Sequence, residues 1–528
     1  MSEDIEILVD PIDDVRFPLD RLREVVVRHP RVRERFRDVD PEKLRFLDPD
    51  VLGREKDRDG RFVATVFDPR SNLSVEVTGR PDQLEKIDVR PSVFRPNPSQ
   101  DELRDAVEVL RADERYSPLE GRDGVVVYQP MPPLADVELE DGTTARRVTL
   151  GIFDPAGGPL HRVVAVDLHR RLVDWEPVGV DPATDDDCEA RLPVGVGSLA
   201  DAGGPSQVRV RVLSGGEELW SLVVVRPRNS APTAHGTAHG KGSGVELRQV
   251  RYRGHLVFWQ AHVPILDVLY DDGVTYRDWQ NQETPFQAVG ADPVGSGWRV
   301  CTQPPATILE AGTDAGNFQG VAFWYDQGEL RVVSELQAGW YRYVSDWRLR
   351  DDGTIGPRFG FAGTRNPRTC MRHQHHVYWR LDFDIDGAGR DVIEQRGLFF
   401  PGRPAWSPVV RETSRKRTFF SRSWQVHDRE TGRGYRITPG VADGTADAYG
   451  VSDLWFLRYR GTELDDGVAV VGGTAAQTQV RLDQYLTGEP IDGTDVVVWY
   501  AGHFVHDEHA PAPHQGHIIG PELRPVNW

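Results

Sequence analysis

From residue 245 to residue 528 no stretch of useful length carries apolar residues at helical spacing. Short, aromatic-rich runs stand there instead, broken by Asp-Gly, Gly-Thr and Pro. Runs of that kind bury their apolar faces by stacking sheet on sheet, so this half of the chain is expected to form a large β-sandwich. With 528 residues the chain exceeds what one core can organise. A count of about three domains follows from that length.

The preceding residues divide by pattern. Residues 8–95 read as a small α+β domain, with an amphipathic segment over 19–35 interrupted at Pro30. Strands at 62–67 and 73–77 then flank the turn Pro69-Arg70-Ser71-Asn72. Residues 96–226 read as a second α+β domain. Ser99 and Glu102 make a capping-box signature, and Leu103, Ala106, Val107 and Leu110 continue a helix to about Ala112. Strands are expected at 124–128, 146–153 and 163–168, with further short ones over 178–226. Residues 227–244 are Gly/Ala/Ser-rich and aperiodic, a linker whose His235 and His239 read as solvated. The fold class is therefore mainly β: a large C-terminal β-sandwich domain (245–528) preceded by two small α+β domains.

Charge and cysteines narrow the function classes. Lys+Arg 63 against Asp+Glu 82 leaves a net charge of -19, which disfavours nucleic acid and attracts cations, amines included. Cys188, Cys301 and Cys370 are odd in number and far apart, so no disulfide framework is implied. The acidic start has no apolar signal core, and no apolar run is long enough to span a bilayer. A soluble, cytoplasmic protein with no membrane partner is expected.

The chemistry concentrates in residues 372–387. In an extended strand His373 and His375 point to one face, because side chains alternate with period two. Two imidazoles so placed can chelate a transition metal, copper or zinc. Asp382 and Asp384 share a face by the same rule, and their hard oxygens suit calcium, magnesium or manganese. Asp386-Gly387 reads as a turn, so the strand is expected to enter a hairpin.

His373-Gln374-His375, followed by Arg380-Leu381-Asp382-Phe383-Asp384-Ile385-Asp386-Gly387, resembles the copper-ligand strand of the copper amine oxidases. That family has a β-sandwich catalytic domain, and the helix near Ser99 with Trp175-Glu176-Pro177 is similar to its paired small α/β domains. The resemblance implies a third copper imidazole at the end of the strand over 494–506. The matching position is His506, with His503 as a local competitor and His509, His514 and His517 read as a solvated tail. It also implies a second, hard-cation site for calcium or manganese, made by Asp382, Phe383 (carbonyl), Asp384, Asp495 and Val496 (carbonyl).

The family's redox cofactor is topaquinone, formed from a tyrosine in an Asn-Tyr-Asp/Glu-Tyr strand. Tyr341 stands at the matching position within 337–355, with Trp340 in place of Asn and Arg342 in place of the acid. In a strand both of those neighbours would point away from the face of Tyr341. Tyr270 resembles the tyrosine that hydrogen-bonds the quinone. The position of the catalytic base falls near Thr284, which is not an acid; Glu283 is the nearest replacement and Asp278 the next. Cys301 matches one half of a family disulfide whose partner segment is missing, so a free thiol is expected.

The resemblance implies a copper-dependent oxidoreductase, a homodimer that deaminates a primary amine with O2 through a quinone made from Tyr341. The altered neighbours of Tyr341 keep two alternatives open. One is a copper protein of the same fold that runs another oxygen-dependent reaction with Tyr341 unmodified. The other is a metal-binding homologue without catalysis.

Overall fold

The computed structural model describes residues 5–12, 19–51, 62–92, 95–140, 142–180, 195, 204–205, 207–227, 243–278, 282–295, 297–313, 315–364, 366–399, 403–418, 423–468, 470–507 and 517–528. Two large sheets dominate. In the first, the order is Ile5–Pro11, Gln207–Ser214, Glu217–Val225, Ser243–Tyr252, His255–Tyr270, His373–Phe383, Val496–His506, Leu454–Arg458 and Thr413–Arg415. In the second, Val321–Asp326, Glu329–Ala338, Tyr341–Arg350 and Ile355–Gly363 run antiparallel, and Glu522–Val526 leads on to four more strands. One core fills the space between them. Val377, Trp379, Leu381 and Phe383 come from the first sheet, and Trp347, Leu349, Phe359 and Phe361 from the second. This is the expected sandwich.

Two smaller sheets precede it. The first, Arg45–Val51, Phe62–Asp68, Leu73–Gly79 and Asp88–Ser92, packs Phe62, Val66 and Val77 against Val26, Val32 and Phe36. Pro30 opens the second of two helices here, where a missing N–H leaves no intrahelical bond unmade. In the second unit the helix Gln100–Arg111 carries the expected capping box and buries Leu103, Ala106 and Leu110 on Val148, Leu150 and Val164.

Three readings of the sequence need correction. Gln207–Ser214 and Glu217–Val225, assigned to the second small domain, are hydrogen-bonded into the first large sheet, as is Ile5–Pro11 at the start. Val208, Val210 and Val212 alternate inward and extend the sandwich core. The strand His373–Phe383 does not enter a hairpin after Asp386-Gly387. Both its edges are already taken by His255–Tyr270 and Val496–His506, so the next strand, Asp391–Phe399, joins the opposite sheet. Cys370 is buried and disulfide-bonded, a pairing that linear spacing cannot report, while Cys301 carries the expected free thiol. Cys188, His235, His239 and most of the expected linker lie outside the described residues. Among the described residues no helix is long and apolar enough to cross a membrane.

Candidate metal and tyrosine site

The antiparallel register of two central strands sets His373 opposite His506, and His376 opposite His503. Alternation then sorts the histidines by face. His373, His375 and His506 point into the sandwich, while His376 and His503 point out of it. The three inward imidazoles bring their ring nitrogens within 4.8 Å of one another. Nε2 of His373 and Nε2 of His375 lie 3.0 Å apart. His373 Nδ1 donates to the Met371 carbonyl at 2.6 Å, which leaves its Nε2 lone pair facing the cluster. Burial, reinforced for each ring by its neighbouring imidazoles, pushes the pKa of His373 and His375 well below the usual histidine value. Neutral imidazoles converging on one point are a donor set for a late divalent transition metal, and their nitrogen chemistry fits copper.

The opposite sheet supplies the phenol. Tyr341 is buried, and its hydroxyl hydrogen-bonds His373 Nε2. Its ring meets that of His375 edge-on at 4.8 Å and lies parallel to that of Tyr343 at 5.6 Å. A two-residue turn, Gly339-Trp340, joins Glu329–Ala338 to the Tyr341 strand. Gly339 takes φ +56, and a Cβ there would stand 2.4 Å from Met131 Cγ, so only glycine fits.

That turn corrects the expectation for Trp340. It is not a strand residue facing away from Tyr341. Its indole Nε1 donates to the Tyr270 hydroxyl at 3.1 Å, and its ring packs edge-on against Tyr276 at 5.8 Å. Tyr270, in register with His373, lies 4.9 Å from the His373 ring. Arg342 is buried and turned elsewhere, donating to the Gly339 and Tyr341 carbonyls.

The two carboxylates weighed as bases have different surroundings. Glu283 is locked in a buried fork with Arg226, Oε1 accepting at 3.0 Å and Oε2 at 2.5 Å, so both oxygens are committed to a structural ion pair. Thr284 bonds Glu335. Asp278, buried, accepts from the hydroxyl of Tyr343, whose ring stacks on Tyr341. Burial raises its pKa to about 7, opposed by that hydrogen bond. Tyr343 itself was passed over in the sequence, although it is the second tyrosine of the Tyr-x-Tyr pattern.

At the other end of the His373 strand, Asp382, Asp384 and Asp495 bring carboxylate oxygens within 4.8 Å of one another. Phe383 and Val496 face each other across the ladder there. Arg380 lies 3.7 Å from Asp382 but also pairs with Glu463 at 2.8 Å. Three converging carboxylates fit a hard cation. The distance to the histidines is about 30 Å at the usual rise of a strand. His517, read as part of a solvated tail, instead pairs through its strand with Ile355–Gly363 and sets its ring 5.0 Å from that of His506. His509 and His514 lie outside the described residues.

Comparison with solved structures bears on the fold. A copper-containing benzylamine oxidase from Hansenula polymorpha superimposes with a TM-score of 0.59 at 14% identity, over 98% of this chain and 97% of that one. The fold is the copper amine oxidase fold. Aspergillus nidulans amine oxidase matches 88% of the chain and 80% of its own, at 14% identity and a TM-score of 0.47. In sequence, the chain is 22% identical over 376 residues to the copper-containing amine oxidase 2 of Mus musculus, across 55% of this chain. It spans about half the length of that curated relative, 49%. No family model matches. The chain is thus similar to the copper amine oxidases in fold and, at low identity, in sequence, and its three clustered histidines could hold a metal ion.

Proposed function

We propose that this protein is a copper-dependent oxidase of primary amines, with Tyr341 as the precursor of its quinone. The observation that carries the reading is the contact of the Tyr341 hydroxyl with the His373 nitrogen inside the three-histidine cluster. His373, His375 and His506 would hold copper, which supplies the oxygen chemistry that converts Tyr341 to a quinone able to accept an amine. The chain's own groups do the rest. Asp278, with a pKa near the working range of a general base, takes the proton from the carbon bearing the amine nitrogen. Tyr343 holds the Asp278 carboxylate by its hydroxyl and lies against the Tyr341 ring. Tyr270 and Trp340 form a hydrogen-bonded wall beside His373, away from bulk water.

Asp382, Asp384 and Asp495, with the Phe383 and Val496 carbonyls, would hold calcium or manganese as a structural ion. A homodimer belongs to the same proposal. The disulfide at Cys370 favours an oxidising compartment over the cytoplasm expected from the sequence.

A second reading rests on Trp340. Its bulk and its bond to Tyr270 stand where the family has a small amide, in the turn that leads into Tyr341. A copper oxidase with Tyr341 unmodified fits that altered turn. Mass spectrometry of the Tyr341 peptide after aerobic copper loading, together with phenylhydrazine treatment, separates the two. A quinone mass and a coloured adduct support the first reading; an unmodified tyrosine in copper-replete protein overturns it.

A further inference from the structure

A cleft of about 860 Å³ opens between the two small domains, on residues that the proposed oxidase chemistry does not use. That volume lies within the roughly 300–1,000 Å³ typical of small-molecule sites. One wall is the turn over 70–73 of the first domain, and the other includes the turn over 167–170 of the second. Four arginines line it, Arg70, Arg95, Arg146 and Arg170, against the two acids Glu102 and Asp167. In a chain of net charge -19 this local excess of cations runs against the general trend.

The floor is the decisive feature. The Arg146 side chain is 4% exposed and stacks over Phe67 at 4.9 Å. Its Nε donates to Glu102 at 2.6 Å and its Nη2 to the Pro96 carbonyl at 2.9 Å. Its Nη1, also buried, has no acceptor. Glu102 cannot neutralise the pair of guanidinium groups beside it, because Arg45 binds the same carboxylate at 2.7 Å. Asp167 is likewise engaged, accepting from the Arg170 backbone at 2.9 Å and lying 3.6 Å from the Arg170 guanidinium. A buried guanidinium N–H without an acceptor is costly, and an anionic oxygen in the cleft removes that cost.

We propose that this interdomain cleft binds a small organic oxyanion, carrying a phosphate or carboxylate group. The oxygens meet Arg146 Nη1 and the exposed Arg70 and Arg170, and the carbon skeleton lies on Leu73, half of which is open to solvent.

The test is calorimetry and thermal shift on the full chain with inorganic phosphate, phenyl phosphate and phthalate, each against chloride at matched ionic strength. Saturable binding and a raised melting temperature with the phosphate probes or with phthalate identify which oxyanion is preferred. Arg146→Lys keeps the charge facing Glu102 but removes Nη1, and should weaken binding roughly tenfold or more. The surface double variant Arg70→Glu/Arg170→Glu should do the same without touching the buried network, and so decides the matter if the lysine variant fails to fold. Copper content, read in parallel, should not change in either. Absence of saturable binding with all three probes, or affinity equal to wild type in the double variant, overturns the proposal and leaves the oxidase reading untouched.

Discussion

The same two strands offer histidines on both faces, and the two faces end differently. On the outer face His376 and His503 approach through their Nδ1 atoms at 2.7 Å. His503 Nε2 then lies 3.2 Å from Asp453, itself 3.4 Å from the Arg417 guanidinium. The protein provides that pair with its own anion and cation. The inner cluster gathers His373, His375 and His506, and its neighbour from the opposite sheet is a phenol. Burial alone therefore does not mark a metal centre. What marks a candidate is the convergence of three imidazoles on one point beside a phenol from the opposite sheet.

The largest effects should come from breaking the inner set. His373→Ala, His375→Ala and His506→Ala should each lower copper affinity by more than the roughly 10–100-fold typical of losing an outer-shell partner. His503→Ala should leave copper at full stoichiometry, as read by metal analysis and paramagnetic resonance. Full occupancy in His506→Ala would transfer the third ligand elsewhere and end the contrast between the faces.

Next comes Asp278. Its replacement by Asn should reduce amine turnover by about 10²–10⁴-fold, with copper content intact. The same variant has a stability signature. The folded-state pKa of about 7 lies above the ordinary carboxylate value, so the stabilising contribution of the protonated group is complete at low pH. It is lost as pH rises from about 4 through about 7, by a few kcal/mol at most. Asp278→Asn should flatten that loss in urea midpoints measured across the interval; an unchanged slope would assign it to other groups.

On the outer face, Asp453→Asn should cost about 1–3 kcal/mol of stability by weakening the partner of a buried His503, with copper binding preserved. The smallest effect is expected at the oxygen cluster. Asp382→Asn/Asp495→Asn should abolish any response of the melting temperature to a chelator of hard cations, a shift of a few degrees at most. Loss of copper in that variant would show that the two ends of the His373 strand are coupled.

Much of this was legible in sequence because it is local. Two histidines one residue apart on a strand share a face wherever that strand goes, and Ser99 caps its helix through Glu102 three residues on. Which face is inward was harder to read. Val377 belongs to the main core and Tyr378 to a second apolar cluster, so both sides of the ladder look buried in sequence. Glu283 was preferred over Asp278 by counting along the chain, yet its role depends on Arg226, far away in sequence and paired to it only by the fold. Trp340 was misread because a strand period was assumed to run through what is a two-residue turn at Gly339. Strands 207–225 were misplaced for a related reason: alternation reports a half-buried strand but not the sheet that it joins.

Because the phenol of Tyr341 hangs from one sheet and its histidine partner from the other, their separation measures how closely the two layers of the sandwich are seated. Phe361 and Phe504 touch across the same gap at 4.5 Å, and His375 stacks on Phe504 at 5.0 Å. Under the proposed function, oxidation of the ring would therefore depend on layer spacing as well as on ligand identity. A cavity cut at Phe361, with every ligand and every acid in place, should slow maturation of Tyr341 through geometry alone.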